Sequence, residues 1–69
     1  MELSARNQFA GRVKQVELGN IMAEVVVDIG GGHEVVAAIT RGSVERLNLV
    51  QDSAVTVIIK ATEVLIAKS

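Results

Sequence analysis

An all-β fold is what this sequence predicts, and three observations carry the prediction. Residues 21–29 alternate with a strict period of two. Further runs rich in Val and Ile recur between short glycine-rich or polar breaks. Only residues 40–49 show the three-residue spacing and end signals of a helix.

Taken in order, residues 9–18 set Val13 and Val16 among Arg12, Lys14, Gln15 and Glu17, which reads as a first strand. Gly19-Asn20 tolerates the positive φ of a tight hairpin. In the second strand Ile21, Ala23, Val25, Val27 and Ile29 face one way, and Met22, Glu24, Val26 and Asp28 the other. Gly30-Gly31-Gly32 ends it in a turn. Residues 33–39 form a third strand, apolar on both faces through Val35, Ala37 and Ile39 and through Val36 and Ala38. A strand buried on both faces in so short a chain implies that one face meets a partner.

Thr40 or Ser43 can cap a helix of one or two turns, Val44 and Leu47 share a face, and Asn48 is a plausible stop. After the turn Gln51-Asp52-Ser53, residues 54–60 and 64–67 read as a fourth and a fifth strand, divided by Ala61-Thr62-Glu63. Five strands with one short helix between strands 3 and 4 is the order of an OB-like five-stranded small barrel, which closes its sheet to protect the edges. Residues 1–69 are expected to form a single domain, since there is no linker, repeat or Pro.

Size and composition point to association. A chain of 69 residues buries only roughly 60% of its unfolded surface and usually needs a staple. It has no Cys and a single His, His33, so a disulfide or structural metal is not expected. Hydrophobic residues make up 49% of the chain, more than a minimal core hides. A homo-oligomer follows.

The net charge of -1 and the single aromatic residue, Phe9, argue against nucleic-acid binding, which wants a basic groove and stacking platforms. No secretory signal or spanning segment is visible, so no membrane partner is expected and the protein reads as cytoplasmic. No nucleophile and base can be paired, and no metal-ligand spacing exists. A non-enzyme without cofactor or free metal cation is expected.

What remains is a set of hydrogen-bond donors where the strand pattern lapses. Ser4-Ala5-Arg6-Asn7-Gln8 precedes the first strand, Lys60-Ala61-Thr62 lies at the last bend, and Thr40 and Ser43 share the start of the helix. Together they offer a guanidinium, an ammonium, hydroxyls and backbone amides, including those of a helix N-terminus. Such a set suits a tetrahedral dianion that only accepts hydrogen bonds. Hydrogen phosphate would bring a proton that a donor-only pocket leaves unpaired. Taken singly, Ser4 is better read as a turn cap, Arg6 as a solvated charge and Lys60 as an edge-strand gatekeeper; the combination makes the case.

The same residues carry a resemblance. Ser4-Ala5-Arg6-Asn7-Gln8, followed by Gly11 and Val13, resembles the opening of the molbindin family of small molybdate- and tungstate-binding proteins. Ile39-Thr40 with Ser43-Val44-Glu45-Arg46-Leu47 resembles its middle segment, and Ile59-Lys60-Ala61-Thr62-Glu63-Val64 its last. The resemblance implies an OB-like barrel and a hexamer built as a trimer of dimers. It implies molybdate or tungstate held at subunit interfaces for intracellular storage or homeostasis. Ser4, Ala5, Arg6, Lys60 and the Ala61 amide would come from one subunit, and Thr40 and Ser43 from its neighbour. Ala61 stands where many members have Ser, so one hydroxyl donor is lost while the N–H survives. A further anion site on a three-fold axis is expected, with the exposed turn Gly19-Asn20-Ile21 as its candidate. The alternative is an oligomeric structural or regulatory interaction module with no obligatory anion.

Overall fold

The computed structural model of the protein describes residues 2–69. Its centre is β1 (Asn7–Leu18), which pairs antiparallel with β2 (Met22–Gly30) on one side and with β4 (Ala54–Ile59) on the other. β3 (His33–Thr40) adds to the far side of β2, giving a four-stranded antiparallel sheet in the order β3-β2-β1-β4. Helix α1 (Arg41–Leu47) joins β3 to β4, and a single 3-10 turn, Ala61–Glu63, follows β4. The fold is all-β and OB-like, with an open sheet and one short helix where the sequence predicts it.

The period of two in β2 becomes the core. Ala23, Val25 and Val27 are buried together with Val13 from β1 and Val44 from α1. Val13 and Val16 lie three apart yet both turn inward, because the register of β1 against β2 slips between Val13 and Gln15. Such a bulge adds one residue to a strand and bends it. Val13 is also gripped from its other side: its N–H donates to the Ser53 carbonyl at 2.9 Å, and its carbonyl accepts from Asp52 N–H at 2.8 Å.

Two glycine sites set the geometry. A Cβ at Gly11 would stand 2.6 Å from the Asp28 carbonyl oxygen and 2.8 Å from Val27 Cγ1, so β1 and β2 approach more closely there than any side chain allows. At the β2–β3 turn Gly30, Gly31 and Gly32 all adopt positive φ, where glycine alone has no steric penalty. Asp28 Oδ1 accepts from Gly30 N–H at 2.8 Å and steadies the start of that turn. Ile21 departs from the alternation. It lies in the β1–β2 turn, one residue before β2 begins, and is 77% exposed.

The fifth predicted strand does not form within this chain. Residues 64–67 follow the 3-10 turn without entering the sheet, and Leu65 and Ile66 are 93% and 88% exposed. The run keeps its apolar, strand-forming character, but pairing needs a partner edge as well as propensity. The sheet stays open. A groove of about 250 Å³ runs into its core between Val13, Ala37, Ile39, Leu49 and Val57. No helix among the described residues is long and apolar enough to cross a membrane.

Candidate functional site

The first half of the predicted site gathers at the N-terminal end of β1. Asn7 pairs with Ile59, and its Nδ2 donates to the Ile59 carbonyl at 3.1 Å. Arg6 and Lys60 lie just outside that ladder, Arg6 preceding Asn7 and Lys60 following Ile59, with Ala5 and Ala61 next beyond them. Gln8 Nε2 donates to the Ala5 carbonyl at 2.6 Å and steadies the approach to β1. Ser4 lies in the bend before it, exposed like Arg6 and Lys60. Lys60 caps the 3-10 turn through its backbone, where its carbonyl accepts from Glu63 N–H at 2.9 Å.

Among the described residues, the ion pairs are Lys14 with Glu34 and Arg41 with Glu45. Neither involves Arg6 or Lys60. Arg6 and Lys60 thus bring two positive charges to the same end of β1, with no carboxylate in an ion pair with either.

The second half lies at the junction of β3 and α1. Thr40 is the N-cap, and its Oγ1 accepts from Ser43 N–H at 3.0 Å. The two hydroxyls are 2.7 Å apart, and one donates to the other. Arg46 Nη2 donates to Ser43 Oγ at 3.4 Å, a contact one helical turn along that went unread in the sequence. Its signal was there in the three-residue spacing from Ser43, which sets both residues on one helix face.

The helix N-terminus itself offers fewer free amides than the sequence suggests. Arg41 N–H donates to the Ile21 carbonyl at 2.8 Å, and Ser43 N–H is taken by Thr40. Arg41 also reaches the other candidate turn, since its Nη1 donates to the Gly19 carbonyl at 3.3 Å. Gly19, Asn20 and Ile21 form an exposed turn beside the start of α1.

One chain does not bring the two halves together. Met22 pairs with Thr40 and Ala23 with Leu18, so Thr40 belongs to the C-terminal end of β1, while Arg6 and Lys60 flank its N-terminal end. The twelve residues of β1 would span roughly 36 Å if straight, at about 3.3 Å per step, close to the molecule's longest extent of 37 Å, and the bulge shortens that reach. Among the described residues no cluster of three or more His, Cys, Asp or Glu could hold a metal ion.

The fold defines a class: small all-β, OB-like proteins with one short helix between the third and fourth strands. The chain belongs to the TOBE domain family, which it matches over residues 3–66. It is 42% identical over 66 residues to molybdenum-pterin-binding protein 1 of Clostridium pasteurianum, across 96% of this chain and 97% of that one. A probable molybdenum-pterin-binding protein of Haemophilus influenzae is 41% identical, across 96% of both chains. The solved structure of a molybdate binding protein from Sporomusa ovata superposes with a TM-score of 0.92 at 44% identity, over 99% of this chain and 100% of that one. The molbindin resemblance read from the Ser4–Gln8, Ile39–Leu47 and Ile59–Val64 segments is borne out.

Proposed function

We propose that this protein is a non-catalytic binder of molybdate, with tungstate as an accepted analogue, acting in intracellular storage or homeostasis of the oxyanion. The observation that carries this reading is the split donor set. Arg6 and Lys60 adjoin the N-terminal end of β1 with no ion-pair partner, Thr40 and Ser43 stand together at its far end, and a second chain would bring the two pairs to one anion. Ser4, the Ala5 and Ala61 backbone and the two cations form one wall of the site, and Thr40 and Ser43 of a neighbour the other. Charge-assisted hydrogen bonds of this kind contribute about 1.5–3 kcal/mol each, enough for useful affinity after desolvation.

The relatives' names and the Sporomusa ovata structure support molybdate as the ligand. Free oxyanion is favoured over a pterin-bound form by the donors themselves, since Phe9 is the sole aromatic side chain available to a ring system. The assembly is a hexamer, a trimer of dimers, in the cytoplasm. Each barrel gains its fifth strand when residues 64–67 of a neighbour pair with its open edge and cover the apolar groove. The turn Gly19-Asn20-Ile21 is the candidate for a further site on the three-fold axis.

Native mass spectrometry with and without molybdate, tungstate and phosphate tests this directly. A hexamer that gains discrete molybdate and tungstate masses but no phosphate is expected. Arg6→Ala is expected to lose that uptake while staying folded. An assembly that takes up no oxyanion would favour the second reading, a structural or regulatory interaction module, for which the exposed Leu65 and Ile66 already provide an interaction surface.

A further inference from the structure

We propose that Arg46 is a positioning residue for the oxyanion, acting through the Thr40–Ser43 hydroxyl pair to keep that pair a donor. The inference rests on the functional reading above and goes beyond it by assigning selectivity to a residue outside the expected ligand set.

A hydroxyl is one donor and two acceptor positions. A wall made of Thr and Ser therefore does not by itself refuse the proton of hydrogen phosphate, because either oxygen can accept it. What decides the matter is how many acceptor positions are already filled. Thr40 Oγ1 accepts from Ser43 N–H at 3.0 Å. One of the two hydroxyls accepts the proton of the other across 2.7 Å. Arg46 Nη2 supplies the third donor, to Ser43 Oγ at 3.4 Å.

Consider the case in which Thr40 donates to Ser43. Ser43 Oγ then accepts from both Thr40 and Arg46, is full, and can only donate outward. In the reverse case Thr40 Oγ1 accepts from the Ser43 amide and the Ser43 hydroxyl, is full, and donates outward instead. The chain then runs from the Arg46 guanidinium through Ser43 to Thr40. Either way one hydroxyl proton points away from the helix, and a fixed positive charge stands behind it. Hydrogen bonds in series polarise one another, and a cation at the head strengthens the last donor. The three donors fill three of the pair's four acceptor positions and leave one open; without Arg46 a second opens on Ser43, and the pair takes the phosphate proton more readily.

The plainer role for Arg46 is that of a basic side chain in the last turn of α1, where it meets the negative end of the helix dipole. Affinity measurements on a double-mutant cycle separate the two roles. Molybdate and inorganic phosphate are titrated calorimetrically into the full-length assembly of the wild type, Arg46→Gln, Arg46→Lys, Ser43→Ala and the Ser43→Ala/Arg46→Gln pair.

Arg46→Gln is expected to weaken molybdate binding about tenfold, the lower end for a hydrogen bond to a charged group, and to narrow the preference over phosphate. Arg46→Lys keeps the charge and a donor and is expected to retain most of the affinity. In the Ser43→Ala background the Arg46→Gln effect should largely disappear. Wild-type affinity in Arg46→Gln, or an undiminished loss when Ser43 is already Ala, overturns the inference alone. A wild type that binds no molybdate overturns the functional reading and this inference with it.

Discussion

The β1–β2 hairpin and the C-terminal run of residues 64–67 are built from the same kind of side chain and meet opposite fates. Val13, Ala23, Val25 and Val27 are between 1% and 4% exposed, whereas Val64, Leu65 and Ile66 are 44%, 93% and 88% exposed. Nothing in local propensity separates them, since both are rich in Val and Ile and both lack Pro. The difference lies in the partner. β1 and β2 are joined by a short turn and close on one another, while the C-terminal run emerges from a 3-10 turn and pairs with neither open edge of the sheet, β3 or β4. Apolar strand character demands burial without naming what does the burying.

The sharpest way to break this comparison is to remove residues 64–69. Val64, Leu65 and Ile66 each stand to gain about 1.5–3 kcal/mol on burial, less the cost of ordering the segment. Light scattering is expected to find the assembly reduced to isolated chains. A truncated protein that keeps the full-length assembly would show that the run stays solvated and closes nothing.

Gly11→Ala strikes the other side of the comparison. Its Cβ has no room against the Asp28 carbonyl and Val27 Cγ1, and overpacking of this kind costs about 1–3 kcal/mol. Urea unfolding is expected to shift its midpoint down accordingly. An unmoved midpoint would mean that the hairpin is the looser half.

A smaller effect is expected from Thr40→Ala, which deletes the cap of α1 and so loosens Val44 over the core. Loss of such a cap costs about 1 kcal/mol. Thr40→Ser, which keeps the accepting oxygen, is expected to restore the wild-type midpoint in the same measurement.

The smallest effect belongs to the exposed Lys14–Glu34 pair, which ties β1 of the hairpin to β3. The Glu34 carboxylate, by its hydrogen bond first and its charge second, holds the Lys14 ammonium above its ordinary value of 10.5. A raised lysine contributes stability that is whole at neutral pH and fades as pH climbs through the folded-state value. The thermal midpoints of wild type and Glu34→Gln should therefore converge in the alkaline range above pH 10.5. A gap that persisted there would place the effect in packing instead.

Much of this was legible beforehand, for identifiable reasons. Ala23, Val25 and Val27 announced the core because a period of two has one structural meaning. The cap was legible as Thr40 or Ser43, and Thr40 takes it because its hydroxyl lies three residues before an amide that needs an acceptor. The slip at Lys14 was harder to read: Val13 and Val16 are spaced as on a helix, and only the partner strand shows that a bulge reconciles them. Residues 64–67 were read correctly for character but not for pairing, which no local pattern encodes. In the site, Ser4–Arg6 and Lys60–Ala61 were grouped by donor chemistry, but their assignment to one wall came only from the family resemblance, since fifty-odd residues separate them. Arg46 stayed hidden because an exposed arginine in a last turn has a ready alternative role.

The ladder that joins Asn7 to Ile59 has a consequence in time. Its first pair closes a loop of about fifty residues, a step whose entropy is repaid only when the rest of the sheet is in place. The wall assigned to Ser4, Arg6, Lys60 and Ala61 takes one strand from near each end of the chain, so it does not exist on a half-made molecule. A polypeptide still emerging from the ribosome holds its two cations apart in solvent. At the proposed site, capture of an oxyanion would begin only after synthesis has passed residue 61, and the first chains able to hold it would be those that have finished folding.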